Sequence, residues 1–279
     1  MTNFIKLFEK NIDKFKKIKK LSGGLSNDIY LINGKYIWKR IKNKYLFDHQ
    51  NEINIMKESN KFELFYYDDI NLCYNFIEGD NMENEKFYDN INNIILETKK
   101  YHNLKVETKS FWYEIIPEWL KQIESDKIKN INTLYNILSN KLDMIHNDND
   151  LVLCHHDIHS GNIIEKDNEI SLIDLEFSFK NYYYVDLGNI ICEMFTDYDK
   201  EIYHYDKIND DLKLKIINLY HNENYRNKEE CPLLFEKLNL GIQISHFYWY
   251  LWGILVDSSK QNENFDYLKF SDSRLDFIN

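Results

Sequence analysis

The chain has 279 residues, 43% of them hydrophobic and 15% aromatic, enough apolar matter for a folded core and too much for a disordered polymer. Its formal net charge of -11 opposes a polyphosphate backbone, so no nucleic-acid partner is expected. No stretch reaches the roughly 18 uncharged apolar residues of a membrane span, the amino terminus MTNFIKLFEKNIDKFKKIKK lacks the apolar run of a leader, and four dispersed cysteines without a C-x-x-C pair read as free thiols; a cytoplasmic protein is the expectation.

From the amino end, LSGGLSNDIYLINGKYIWKRIKNKY (21–45) presents a glycine turn, a run from Ile29 to Ile32, Asn33-Gly34 as a tight turn, and a second run from Lys35 to Ile41. This is a glycine-led β-hairpin. HQNEINIMKESNKF suits a short helix with Ile53 and Met56 on one face, and LCYNFIEG a strand ending at Gly79. From about residue 83 the pattern is helical, over 85–102, 111–123, 131–147, 211–221 and 233–258. One β-rich island interrupts it at 151–178, where short runs at Asn162–Ile164 and Ile170–Ile173 flank a polar turn at Asp167-Asn168. The expected architecture is α+β, with a small β-rich lobe over 1–79, a connection near 74–79, and a larger helical lobe over 80–279 carrying the β-island. The chain has no alanine and overwhelmingly prefers lysine as its cation, so Arg40, Arg226 and Arg274 stand out as places where a planar, forked cation can do what lysine cannot.

The chemistry concentrates in HHDIHSGNIIEKDNEISLIDLE. Asp157 is followed five residues later by Asn162 and twelve further on by Asp174. A hairpin between them returns Asp174 to the Asp157–Asn162 loop. The result is a cluster of hard oxygen donors of the kind Mg²⁺ prefers, with a carboxylate able to orient an acceptor hydroxyl and take its proton. The three histidines, His155, His156 and His159, also invite a metal-dependent phosphohydrolase reading. The His156-Asp157 dipeptide of such enzymes belongs inside a helix, however, and Ser160-Gly161 argues for a loop. His155 suits a structural role, bonding local backbone. Trp249 and Trp252, three apart on a predicted helix, share a face and serve either as core packing or as ring faces for a ligand.

CHHDIHSGNII followed by LIDLEFSFKNYYYVDLGNIICEMFTDY resembles the choline/ethanolamine kinases, a branch of the protein-kinase-like group that includes aminoglycoside phosphotransferases. SGGLSN (22–27), DHQNEINIM (48–56), YNFIEG (74–79), ISHFYWYLWGIL (244–255) and FDYLKFSDSRLDF (265–277) are similar to further parts of that family. The resemblance implies a protein-kinase-like fold with an ATP-binding first lobe, and transfer of phosphate from ATP to choline, the first step toward phosphatidylcholine. Ethanolamine, or another small-molecule hydroxyl as in the aminoglycoside enzymes, is the alternative acceptor. It also implies Asp157 as catalytic residue and Asn162 and Asp174 as Mg²⁺ ligands. Glu176 lies near the metal, two residues along the strand and on the same face as Asp174. Gly23, Gly24, Ser26 and Asn27 cover the phosphates, and Ile77 of the hinge contacts the nucleotide. Arg40 is the phosphate-side cation, able to pair with Glu52, while Lys39 points to the opposite face.

For the substrate, the resemblance implies a pocket of Trp249, Trp252, Tyr198 and Phe270 ring faces, with Glu193 as counter-charge and His159 beside it; Asp186 anchors the catalytic loop. A quaternary ammonium has no N–H to donate, so ring faces and a carboxylate are what can recognise it. The chain departs from the family at three points: His159 replaces a glutamine, and Phe177 and Phe270 replace tyrosines, keeping the rings and losing the hydroxyls. Family members often form homodimers, which is a possibility here too.

Overall fold

The computed structural model describes residues 16–21, 27–42, 46, 48–123, 128–198, 202–258 and 265–278. Gly23, Gly24 and Ser26 lie outside the described residues. The chain divides into two compact units, 1–79 and 80–279.

The first unit is a five-stranded antiparallel sheet with one helix. Its strands are β1 (Ile18–Lys20), β2 (Asn27–Ile32), β3 (Tyr36–Ile41), β4 (Leu64–Tyr67) and β5 (Asn71–Asn75), ordered β1-β2-β3-β5-β4. Asn33 and Gly34 both have positive φ, 54° and 72°, as the central pair of a β-turn that the Lys35 amide closes on the Ile32 carbonyl at 3.0 Å, with Lys35 completing a three-residue connection. This pins the register Ile32↔Tyr36 through Asn27↔Ile41. On one face Trp38 stacks on Tyr30, with centroids 4.9 Å apart, and packs with Ile32 and Cys73. Residues 37, 39 and 41 point to the other face, where Lys39 meets α1 (His49–Glu58). Asp48 caps that helix by accepting from the Asn51 amide. β5 ends at Asn75, four residues short of the sequence expectation; 76–79 is irregular and includes Gly79 at φ 137°.

The second unit is mostly helical. In chain order it holds β6 (Asp80–Asn81), α2 (Asn84–Phe87), α3 (Ile91–His102), a π-turn at Phe111–Ile115 leading into α4 (Ile116–Gln122), and α5 (Ile128–Met144). There follow β7 (Leu151–Cys154), β8 (Ile163–Lys166), β9 (Glu169–Leu172), β10 (Phe179–Tyr182), α6 (Tyr183–Glu193), β11 (Thr196–Asp197) and β12 (Ile202–Tyr203). The unit closes with α7 (Asp210–His221), α8 (Pro232–Ser258) and α9 (Tyr267–Leu275). The segment read as one helix over 85–102 is two. The 111–123 helix opens on a π-turn at Phe111–Ile115, and Pro117 stands in the first turn of α4, where its missing N–H costs no helical bond. α8 packs along both α6 and α9 and forms the spine of this unit. Among the described residues no helix is long and apolar enough to cross a membrane, and no cysteine is in a disulfide.

Candidate active site

β7 and β10 pair antiparallel, Cys154↔Phe179 to Leu151↔Tyr182. Residues 155–178 are therefore a closed excursion whose ends are tied together. Within it, β8 and β9 form a hairpin, Ile163↔Leu172, whose turn holds Asp167 and Asn168 at φ 52° and 66°. The Ile173 amide then donates to the Asn162 carbonyl at 3.0 Å, which brings the chain at Asp174 back to the loop that holds Asp157.

One buried carboxylate holds the loop. Asp186, in the first turn of α6, accepts from the amides of His155 (2.7 Å) and His156 (2.8 Å) and from His102 Nε2 (2.9 Å). Consecutive amides converge on one side chain because His156 takes φ 66°. One turn further along α6, Asn189 Oδ1 accepts from the Ile158 amide at 2.7 Å. Asp186 thus anchors the 155–158 loop. Burial opposes its charge, yet the His102 hydrogen bond and the backbone amides hold its carboxyl below the usual range. His102, Cys154 and Asp186 lie close enough to suggest a metal cluster. Their donors are already used: His102 Nδ1 bonds the Tyr220 hydroxyl at 2.8 Å, and the Cys154 thiol, pushed well up by burial, donates to the Tyr182 carbonyl. The cluster is a hydrogen-bond network.

The tautomers follow from the partners. His155 Nε2 faces the Ile173 carbonyl at 3.0 Å and carries the proton, and its Nδ1 accepts from the Asp157 amide. His156 Nδ1 donates to the Phe177 carbonyl at 2.8 Å and Nε2 accepts from Asn181, while the ring stacks on Phe111 with centroids 4.0 Å apart. Both histidines serve structure, and burial lowers both pKa values, that of His156 from 6.5 to about 4. Between those values the unfolded chain binds the proton and the fold does not. The stability from a neutral His156 is complete above about pH 6.5 and is lost as pH falls toward 4, by at most about 3 kcal/mol. Urea denaturation at stepped pH measures this; His156→Gln should flatten the slope, and an unchanged slope would place the titration elsewhere.

Asp157 is held by Asn162, whose Nδ2 donates to Asp157 Oδ2 at 2.8 Å and to the Asp157 carbonyl at 3.0 Å. Burial pushes the Asp157 carboxyl up to about 6; His159 opposes this, and the charges of Glu193 and Asp174 add to it. With Nδ2 spent on Asp157, nothing among the described residues donates to Asn162 Oδ1, which remains available as an oxygen ligand. Asp174 sits at φ 62°, ψ 71°, a left-handed conformation that Asp tolerates better than most residues. One expectation is corrected. β9 ends at Leu172 and Leu175–Phe177 is a 3-10 turn, so Glu176 shares no strand face with Asp174, although it is buried in the same excursion. An amide oxygen with neighbouring carboxylates is the hard-donor chemistry that fits Mg²⁺.

Beside Asp157 lies an aromatic cluster. His159 Nδ1 accepts from the Gly161 amide, its Nε2 stands 3.8 Å from Asp157 Oδ1, and its ring is 5.8 Å from that of Tyr198. The Tyr198 hydroxyl donates to Glu193 Oε2 at 2.6 Å, and its ring stacks on Phe270 at 6.2 Å. Trp249 and Trp252 meet edge to face at 5.3 Å, and both also meet Phe270; Phe177 packs on Trp249 at 5.1 Å. The residues expected at the substrate, Glu193, Tyr198, Trp249, Trp252, Phe270 and His159, are thus brought together.

In the first unit, a second correction applies. Lys39, 1% exposed, bonds Glu52 Oε1 at 2.8 Å, while Arg40 is exposed. The expected Arg40–Glu52 pair does not form because strand alternation puts residue 39 on the face that α1 covers. Burial alone would raise the Glu52 carboxyl; Lys39 and His49 hold it below the usual range. Asn27 is buried, with Oδ1 accepting from the Lys42 amide, and Ile77 is half-buried. In the second unit, the part of His102 escaped sequence reasoning and Arg274 was flagged only by the rarity of arginine; in the first, Lys39 was assigned to the wrong face.

A five-stranded sheet with one helix, followed by a helical unit whose loop, hairpin and turn carry Asp157, Asn162 and Asp174, defines a protein-kinase-like fold. The family model for choline/ethanolamine kinases matches residues 18–279, and the chain belongs to that family, which places it among kinases acting on an alcohol acceptor. It is 25% identical to a probable ethanolamine kinase A from Dictyostelium discoideum over 98% of this chain and 87% of that one. It is 33% identical to a choline/ethanolamine kinase from Rattus norvegicus, over 46% of this chain and only 37% of that relative. Among solved structures, a Plasmodium vivax ethanolamine kinase matches with a TM-score of 0.78 at 17% identity, covering 93% of this chain and 81% of that one.

Proposed function

We propose that the protein transfers the γ-phosphoryl group of ATP to the hydroxyl of choline, forming phosphocholine for phospholipid synthesis. The observation that carries this reading is the Glu193, Tyr198, Trp249, Trp252 and Phe270 cluster reaching Asp157 through His159. Ring faces with a carboxylate are what a trimethylammonium group can use, at roughly 0.5 to 2 kcal/mol per ring.

In this reading Asp157 orients the acceptor hydroxyl and takes its proton, and a carboxyl raised to about 6 by burial suits a base working near neutrality. Asn162 keeps the Asp157 carboxylate in one orientation through Nδ2. Asn162 Oδ1 and Asp174, with Glu176 near them, are the residues that would hold Mg²⁺, whose charge offsets that of the phosphates when bound. The buried Lys39–Glu52 pair takes the phosphate-side role that the sequence assigned to Arg40. To Gly23, Gly24, Ser26 and Asn27 we assign binding of the phosphates, and to Ile77 a contact with the nucleotide.

A second reading is ethanolamine. Two observations favour it: Phe177 and Phe270 lack the family's hydroxyls, and two of the relatives above are described as ethanolamine kinases. Steady-state kinetics with Mg-ATP and each amine decides between them. We expect kcat/KM for choline to exceed that for ethanolamine; the reverse order makes ethanolamine the substrate, and no amine-stimulated ADP release sinks both. Trp252→Ala should raise the KM for choline about tenfold with the KM for ATP unchanged. Equal changes in both constants would mean that the indole only packs.

A further inference from the structure

Of the three arginines, Arg40 is exposed, Arg226 pairs with Glu230 at the surface with 85% of its side chain exposed, and Arg274 is completely buried. Arg274, on α9, reaches across to the end of α6, where Nη2 donates to Glu193 Oε1 at 3.1 Å. Its guanidinium carbon stands 4.5 Å from the Phe270 ring centroid, 5.4 Å from Tyr205 and 6.0 Å from Trp249. Both Glu193 oxygens are thereby engaged, one by Arg274 and the other by the Tyr198 hydroxyl. Among the described residues, Arg274 Nε and Nη1 have no hydrogen-bond partner, so its electrostatic compensation rests on Glu193 and the ring faces. A planar, weakly hydrated guanidinium can be buried among aromatic rings in this way, whereas an ammonium demands a fuller set of acceptors.

We propose that Arg274 is a specificity-determining positioning residue: by fixing the Glu193 carboxylate against Tyr198 and Phe270, it makes the pocket select a cationic head group over an uncharged one of the same shape. The inference rests on the substrate pocket proposed above. Without Arg274 only the Tyr198 hydroxyl holds the Glu193 carboxylate; a buried charge lacking its counter-ion is the costliest state of a broken pair, the side chain turns toward other donors or solvent, and a ligand cation no longer meets it in a fixed place.

The test compares choline with dimethylbutanol, the alcohol in which carbon replaces the quaternary nitrogen, for the native enzyme, Glu193→Gln, Arg274→Met and Arg274→Lys. We expect Arg274→Met to lower the choline-to-dimethylbutanol ratio of kcat/KM at least about tenfold, through the KM for choline and with the KM for ATP unchanged. Arg274→Lys should recover part of that loss. A ratio unchanged or raised in Arg274→Met, while Glu193→Gln lowers it, overturns the inference and leaves the pocket standing. A ratio unchanged in Glu193→Gln overturns the pocket itself. If Arg274→Met does not fold, Arg274→Lys decides: a reduced ratio with native thermal stability supports the role, and a native ratio rejects it.

Discussion

Asp157→Asn should lower kcat by about a thousandfold while leaving the thermal midpoint and the KM values for ATP and the amine near those of the native protein. The substitution preserves shape. An amide oxygen at position 157 still accepts from Asn162 Nδ2, and the backbone contacts that hold the loop, from Asp186 to the His155 and His156 amides and from Asn189 to the Ile158 amide, do not involve the Asp157 side chain. What disappears, on the mechanism proposed above, is a group that can take the proton of the attacking hydroxyl. The expected signature is therefore a loss confined to kcat. A kcat within tenfold of native would remove Asp157 from the catalytic role, and a parallel loss in both KM values would mean that the loop itself had moved.

Much of this site is written in short-range signals. Asn33-Gly34 and Asp167-Asn168 specify tight turns, so the hairpins they close, and with them the return of Asp174 to Asp157, follow from local backbone preference. What stayed hidden depends on what packs over a strand or helix. YIWKRI is apolar on both faces of β3, so alternation alone does not reveal which of Lys39 and Arg40 faces the helix; the burial of Glu52 in α1 decides it. All eleven residues of α6 are buried, which removes the polar stripe by which an amphipathic helix is recognised. β10 pairs with β7 across 24 intervening residues, and the Arg274–Glu193 pair joins positions 81 apart. No local period records such partners. The aromatic pocket was legible only through resemblance, because tryptophans spaced three apart look the same whether they line a ligand or fill a core.

Gly241→Ala should destabilise the protein by about 3 kcal/mol or more and remove most of its activity at a site remote in sequence from Asp157. A Cβ on Gly241 would stand 1.9 Å from the Tyr184 carbonyl oxygen and 2.6 Å from its carbon, and one on Gly188 would stand 2.4 Å from the Gly241 carbonyl carbon. These are contacts between backbones, where α8 crosses α6, and no rotamer change relieves them. The helices must separate, and they carry opposite halves of the site: Asp186, Asn189 and Glu193 on α6, Tyr248, Trp249 and Trp252 on α8. Tyr248 of α8 donates to the carbonyl of His156, whose amide donates to Asp186 of α6, so separation loosens the 155–158 loop and the ring cluster together. Gly34→Ala is the natural comparison. It sits at φ 72° in the β2–β3 turn with nothing within 4 Å of the added carbon, and backbone strain alone should cost about 1 kcal/mol. Urea denaturation of both variants separates the two mechanisms; equal losses would mean that the close approach of α6 and α8 contributes nothing beyond ordinary glycine strain.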